Sequence, residues 1–285
     1  MVMKSSKSLM MALLVLICTS FSATCGNSVK QTDVPESPVK SCDFNFSLMS
    51  AKANYKCVGS NSNDVPLFYT IEASLQWPTK IGNNDIRILQ DSILEKMFDK
   101  PKPTVDASLT NFIAHPDLYG DKCRLVKIDS VPDASEDNKV LSSSVKSNII
   151  YVSDRFASFR FFFFEYSGGA HGNYGSNFLN YDVQNNRVLS LKDIFIPGSD
   201  AKVIDAIKQG LCNKFNVDSV AQLPEELSLD QLYITNSFYL SENTINFVYQ
   251  PYEIGPYAMG EIEVPVNAYE FDDLLTPLAK KLLKQ

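Results

Sequence analysis

The chain has 285 residues, of which 45% are hydrophobic and 21% charged, and a net charge of −7. That is enough apolar material for a sizeable core in one large or two modest domains. The acidic balance, with no basic cluster, excludes nucleic acid and anionic membrane from the expected partners and leaves a basic protein as an electrostatic fit.

Lys4 and Lys7 precede an apolar run over residues 9–18 that is too short to span a bilayer, and small residues follow to Thr24. Residues 1–24 therefore read as a secretory signal. Cys25, before Gly26 and Asn27, then reads as the lipidated first residue of a bacterial lipoprotein. Ser22-Ala23-Thr24 departs from the usual box before such a cysteine, so ordinary cleavage near Ser22 is the other route. A lipid anchor is the one expected membrane contact of this exported, envelope-bound protein. Without the leader the remainder carries a charge of about −9, since the leader holds two lysines and no acid. Residues 25–41 are polar, contain two prolines, and read as a flexible tether.

Once Cys18 has left with the leader and Cys25 is acylated, Cys42, Cys57, Cys123 and Cys212 remain. An even number in an oxidising compartment allows two disulfides in three connectivities. Cys42 with Cys57 is the preferred pair, because both fall on what reads as one antiparallel hairpin. No two of the four are close in sequence, so a metal site is not expected.

Residues 44–58 and 67–77 read as strands, the second by alternation of Tyr69, Ile71, Ala73, Leu75 and Trp77 with polar neighbours. Asn83-Asn84-Asp85 offers N-cap chemistry to a helix in which Ile86, Leu89, Ile93 and Met97 share a face. Pro101 and Pro103 stop it, and Thr104 caps a second helix carrying Leu109, Phe112 and Ile113. Residues 122–129 read as a strand and 132–138 as a polar loop. From Val140 the pattern turns to β, with strands expected at 148–152, 156–166, 177–182 and 187–189, and a helical turn at 191–195. An amphipathic helix follows over 201–215, on Ile204, Ile207, Leu211 and Phe215. Strands at 237–240, 244–249 and 261–266 precede a closing helix at 272–283 that has Pro277 near its start. The fold class is α+β: antiparallel sheets with helices packed on one face, in two α/β lobes divided near residue 135.

Two stretches are unusually dense in aromatics, glycines and prolines. One is 161–175, FFFFEYSGGAHGNYG, and the other 249–260, YQPYEIGPYAMG. Phe161 to Phe164 read as core, in a strand covered on both faces. Gly168, Gly169 and Gly172 then permit a tight turn that projects His171. Functionally, His171 is a hydrogen-bonding or proton-transfer group; structurally, it is a turn histidine bonded to a backbone carbonyl. Tyr252 and Tyr257, with Tyr174, are contact candidates, since tyrosine joins an apolar face to a polar tip. Pro251 holds their turn, and Glu253 suits a basic partner. His115 precedes a proline and reads as solvated.

Gly168-Gly169-Ala170-His171-Gly172-Asn173, Asn180-Tyr181-Asp182, the segment 189–195 LSLKDIF, and Pro251 to Ala258 resemble, in this order and spacing, the extracytoplasmic domain of the RsiV-like family. Residues 42–135 resemble less specifically the domain found ahead of peptidoglycan deacetylases of the PdaC type. The resemblance implies an outer binding module, residues 136–285, whose best understood relative binds lysozyme. It does not carry over sigma-factor control, which needs a cytosolic domain. The expected site is Gly168, Gly169, His171, Tyr174, Pro251, Tyr252, Glu253 and Tyr257, without cofactor or metal, for an extracytoplasmic protein such as lysozyme or for a cell-wall glycan. The alternative is a glycan or peptidoglycan hydrolase in which His171 and Glu253 work as a pair. Both readings require the two dense stretches to meet in space.

Overall fold

The structure is a computed structural model and describes residues 21–24, 43–58, 66–114, 124–135 and 139–283. Eight strands form the larger sheet: β1 (Phe21–Thr24), β2 (Asp43–Val58), β3 (Leu67–Ile81), β4 (Arg124–Ile128), β5 (Lys139–Val152), β6 (Phe156–Tyr166), β7 (Asn173–Asp182) and β8 (Arg187–Leu189). Their order is β1-β2-β3-β5-β6-β7-β8, and β4 also pairs with β2; β1 falls within the residues read as a signal, so cleavage before Cys25 would leave the sheet with β2 as its edge on that side. Three strands, β9 (Phe238–Ser241), β10 (Thr244–Tyr249) and β11 (Ile262–Asn267), form a smaller antiparallel sheet in the order β11-β10-β9. The mixed α+β class is as expected.

One pairing is not antiparallel. β3 and β5 run parallel because the chain crosses between them through helices α1 (Arg87–Met97) and α2 (Val105–Ala114). Their apolar sides cover the odd-numbered face of the sheet, where Ala73, Leu75, Val145, Phe159, Phe161 and Tyr181 are buried with Leu89, Ile93 and Leu109. This core draws on both sides of residue 135, so the two lobes share a sheet. Thr104 accepts the Ala107 N–H, as a cap should. At α1 the cap residue is Ile86, and Asp85 takes the Arg87 N–H instead; its hydrogen bonds with the Arg87 guanidinium and backbone hold the Asp85 carboxyl at about 2.

The second core lies on the even-numbered face, where the small sheet packs over Phe156 together with α3 (Leu191–Ile194), α4 (Asp200–Phe215) and α5 (Pro277–Leu283). The expected helix at 272–283 is divided. A 3-10 segment, Ala268–Leu274, precedes α5, which starts at Pro277, where proline's missing N–H costs no helical bond. Buried Asn180 on β7 joins the two sheets. It accepts from Leu240 N–H (2.8 Å) and Ser158 O–H (2.9 Å) and donates to Phe238 O (3.0 Å). Among the described residues no helix is long and apolar enough to cross a membrane.

Helix α4 lies so close to β11 that a Cβ on Gly210 would stand 2.7 Å from a Val264 methyl and 3.0 Å from one of Val266. Gly210→Ala is expected to cost about 1–3 kcal/mol, the range for overpacking a core. Adding Val264→Ala should recover part of that in chemical unfolding; a destabilisation below about 0.5 kcal/mol would show a looser helix–sheet seam.

The cysteine expectations need correction. Cys25, Cys42 and Cys123 lie outside the described residues, as does His115. Cys212 is a free thiol buried in the second core, so the scheme of two disulfides does not hold. Cys57 is buried and is not among the free thiols. The preferred pair of Cys42 with Cys57 therefore lies partly outside the described residues.

Candidate functional site

β6 and β7 form a hairpin, and the glycine-rich stretch is its connection, with Glu165 opposite Asn173. Gly168 and Gly169 have φ of 100° and 99°, the left-handed region that favours glycine. Gly172 passes beneath the Phe164 ring, where a Cβ would approach to 2.6 Å. The turn presents His171 to solvent with its ring unburied and its Nδ1 3.1 Å from Gly172 O, an N–H donor position.

The second dense stretch meets this turn. Tyr257 stacks on His171 at 3.9 Å between ring centroids and 22° between planes, and donates its hydroxyl proton to Gly172 O at 2.6 Å. Tyr174 meets the edge of Tyr257 at 5.6 Å, and Tyr252 lies 5.5 Å from it. Phe162 continues the row at 5.9 Å from Tyr174. Desolvation, then the neighbouring Tyr174 and Tyr252, raises the Tyr257 phenol above its usual range. The two bends, some eighty residues apart in sequence, thus build one aromatic corner.

Two features fix the corner. Gln250 behaves as a one-residue strand beside β7: Ser176 N–H donates to its Oε1 at 2.7 Å, and its Nε2 donates to Ser176 O at 2.9 Å. A Cβ at Gly175 would lie 2.7 Å from that Oε1, so a side chain there would have to displace the Gln250 amide. Arg160 spreads under the row, donating from Nε to Ser176 Oγ at 2.7 Å, pairing with Glu261 and lying 5.5 Å over the Phe162 ring. The other Glu261 oxygen is buried and has no bonding partner among the described residues.

Tyr252 is 66% exposed and has φ of +73°, a conformation that is costly for a bulky residue. Pro251, half-buried, leads into it. The strain presents a phenol outward at the tip of the bend.

Glu253 is not paired with His171. One carboxylate oxygen accepts the Gln250 N–H at 2.7 Å, closing the turn, and the other accepts the Tyr233 hydroxyl at 2.8 Å. Burial first, and then this acceptor, raise the Tyr233 phenol. With both oxygens engaged and the imidazole stacked elsewhere, the pair offers no arrangement for general acid and base work. Among the described residues no three His, Cys, Asp or Glu side chains converge to hold a metal.

Sequence reading placed Phe161 to Phe164 in the core. Phe161 is buried and Phe163 packs against the helix-covered core, but Phe162 and Phe164 are half-buried on the opposite face, beside Tyr174. Alternation along β6 was the signal that separates them. Arg160, Gln250 and Glu261 were not anticipated, and only Arg160 had a signal, as the one cation inside an apolar strand.

Compared with known proteins, residues 192–268 match the model of a family described as a protein of unknown function (DUF3298). This segment runs from α3 through β11 and holds the second bend but not the glycine turn. No curated protein matches the chain. Among solved structures, a DUF3298 family member from Bacteroides fragilis aligns over 84% of this chain and 97% of its own, at 20% identity and a TM-score of 0.64. A DUF3298 family protein from Pseudomonas aeruginosa aligns over 81% and 95%, at 16% identity and a TM-score of 0.54. At these identities the likeness is one of fold, and it extends well beyond the segment that the family model matches.

Proposed function

We propose that this protein is a recognition module of the cell envelope, exported and held by a lipid at Cys25, that binds an extracytoplasmic ligand at the aromatic corner. The ligand is a protein such as lysozyme or a cell-wall glycan. The observation that carries the reading is the contact of His171, Tyr174, Tyr252 and Tyr257 across two separate bends at the surface. Aromatic side chains with polar tips, held rigid before binding, lose little entropy on contact and suit both protein hot spots and sugar faces. The resemblance to the RsiV-like family, whose best understood relative binds lysozyme, points the same way. The hydrolytic alternative has no comparable support, because the Glu253 carboxylate is engaged by Gln250 and Tyr233.

Retention of the purified protein on immobilised hen-type lysozyme and on peptidoglycan fragments tests this reading. One of the two should retain it. Tyr252→Ala should weaken that retention about tenfold or more, as expected of an interface anchor, and leave the melting temperature unchanged because the side chain is exposed. Retention on neither surface would overturn the proposal, as would full retention of the variant.

A further inference from the structure

The edge of the large sheet at β2 is open in its middle. On one side β3 runs beside the strand from Phe44 to Lys56. On the other side β1 takes Asp43 to Phe46 and β4 takes Asn54 to Val58, and Ser47 to Ala53 pair with no strand there among the described residues. Removal of the leader takes β1 with it, so the open edge of the processed protein runs from Asp43 to Ala53.

Backbone alternation tells which groups that edge presents. Asp43 O accepts the Gly82 N–H at 2.7 Å, on the β3 side. Asn45 stands opposite Lys80 and Phe46 opposite Pro78, so the extra residue at this irregularity, Thr79, is on β3, and β2 alternates without a break. Odd-numbered residues of β2 therefore bond to β3, whereas Phe44, Phe46, Leu48, Ser50 and Lys52 turn their N–H and C=O groups outward. Little guards them. Between Ser47 and Ala53 there is no proline, and the one charge, Lys52, is paired with Glu72 at 3.6 Å. Leu48, 62% exposed, is the most exposed large aliphatic side chain among the described residues.

We infer that the processed protein is a two-fold dimer in which β2 pairs antiparallel with β2 of a second copy, about an axis at Leu48. The open stretch is its own complement. With the axis there, Leu48 faces Leu48 of the second copy, Phe46 its Ser50 and Phe44 its Lys52. All of these are outward-turned residues, so each such pair is hydrogen-bonded. Asp43 faces Ala53, and the pairing stops there at both ends, because β4 begins at Asn54 where the other copy's strand has ended. No like charges meet, and the exposed Leu48 side chains pack on each other across the axis. A foreign strand could use the same groups, but only a second copy brings a stretch that ends where β4 begins. The inference goes beyond the recognition reading and takes from it only the removal of the leader.

The test is sedimentation equilibrium of the purified protein after leader removal, which its intact mass verifies, with amide hydrogen exchange above and below the dissociation constant. A dimer is expected. The Leu48 and Ser50 amides, open to exchange in the monomer, should slow about tenfold or more in the dimer. The Met49 and Ala51 amides, already bonded to β3, should change little. Leu48→Lys sets like charges on the axis and should raise the dissociation constant about tenfold or more, while the melting temperature of the dilute protein stays the same because the side chain is exposed. A monomer at every concentration would overturn the inference, as would a dimer whose Leu48 and Ser50 amides exchange freely or one that Leu48→Lys leaves intact. Protection of those amides in a monomer would give the edge to the chain's own residues 25–41 and overturn it as well. None of these outcomes bears on the recognition reading, which stands or falls with the retention of Tyr252→Ala.

Discussion

Asn180→Ala is expected to lower stability by about 4 kcal/mol, because it leaves the Leu240 N–H and the Phe238 carbonyl without their buried partner at about 1–3 kcal/mol each and opens a small void. The side chain is only 2% exposed, so water does not readily replace it. Its amide does for the two sheets what a backbone does within one: the carbonyl oxygen takes a strand N–H, and the NH₂ serves a strand carbonyl. Thermal unfolding should report a fall of roughly 10 °C for a chain of this size. Ser158→Ala removes one hydroxyl from the same network and should cost less, about 1–2 kcal/mol. The double variant should cost less than the sum, since Ser158 bonds to Asn180 itself at 2.9 Å. A loss below about 1 kcal/mol in Asn180→Ala would mean that the small sheet is held to the large one by apolar packing alone.

That joint was not legible in the sequence. Asn180 sits in a stretch expected as a strand, but nothing in one chain's composition tells which distant strand a buried amide will serve. The bends were legible for the opposite reason. Glycines, prolines and tyrosines at such density constrain the backbone locally, and two such segments in one chain have few uses other than a shared surface. His171 and Tyr257 meet accordingly. Glu253 closes its own turn on the Gln250 N–H rather than meeting His171, a use of a turn carboxylate that its place in the sequence does not announce. The four phenylalanines misled in a similar way. An unbroken apolar run hides the two-residue period that sends Phe161 and Phe162 to different faces. The cysteine count misled for another reason: an even number does not tell that Cys212 goes into the second core as a free thiol.

Gln250→Ala should separate the two halves of the corner. Ser176 is buried, and Gln250 is the partner of both its N–H and its carbonyl at the point where β7 extends beyond the last residue of β8. Among the described residues only Ser237 Oγ would still reach the carbonyl, at 3.1 Å. Leaving the amide without a partner costs about 1–3 kcal/mol, and the bend that carries Tyr252 and Tyr257 loses its tie to the hairpin that carries His171 and Tyr174. Retention of ligand should then fall at least as far as in Tyr252→Ala, although Gln250 itself need touch no ligand. Hydrogen exchange distinguishes this from a general loss of stability. The Ser176 amide should exchange much faster in Gln250→Ala while core amides such as Leu179 keep their protection. In Gln250→Glu the remaining carboxylate oxygen still accepts the Ser176 N–H, so that amide should stay protected although the bond to the carbonyl is gone. Gly175→Ala should act in the same direction as Gln250→Ala, because its methyl would stand 2.7 Å from Oε1 and push the amide off Ser176, and combining the two should add little. If the Ser176 amide keeps its protection in Gln250→Ala, the bends are held together by ring stacking, and the corner does not depend on this side chain.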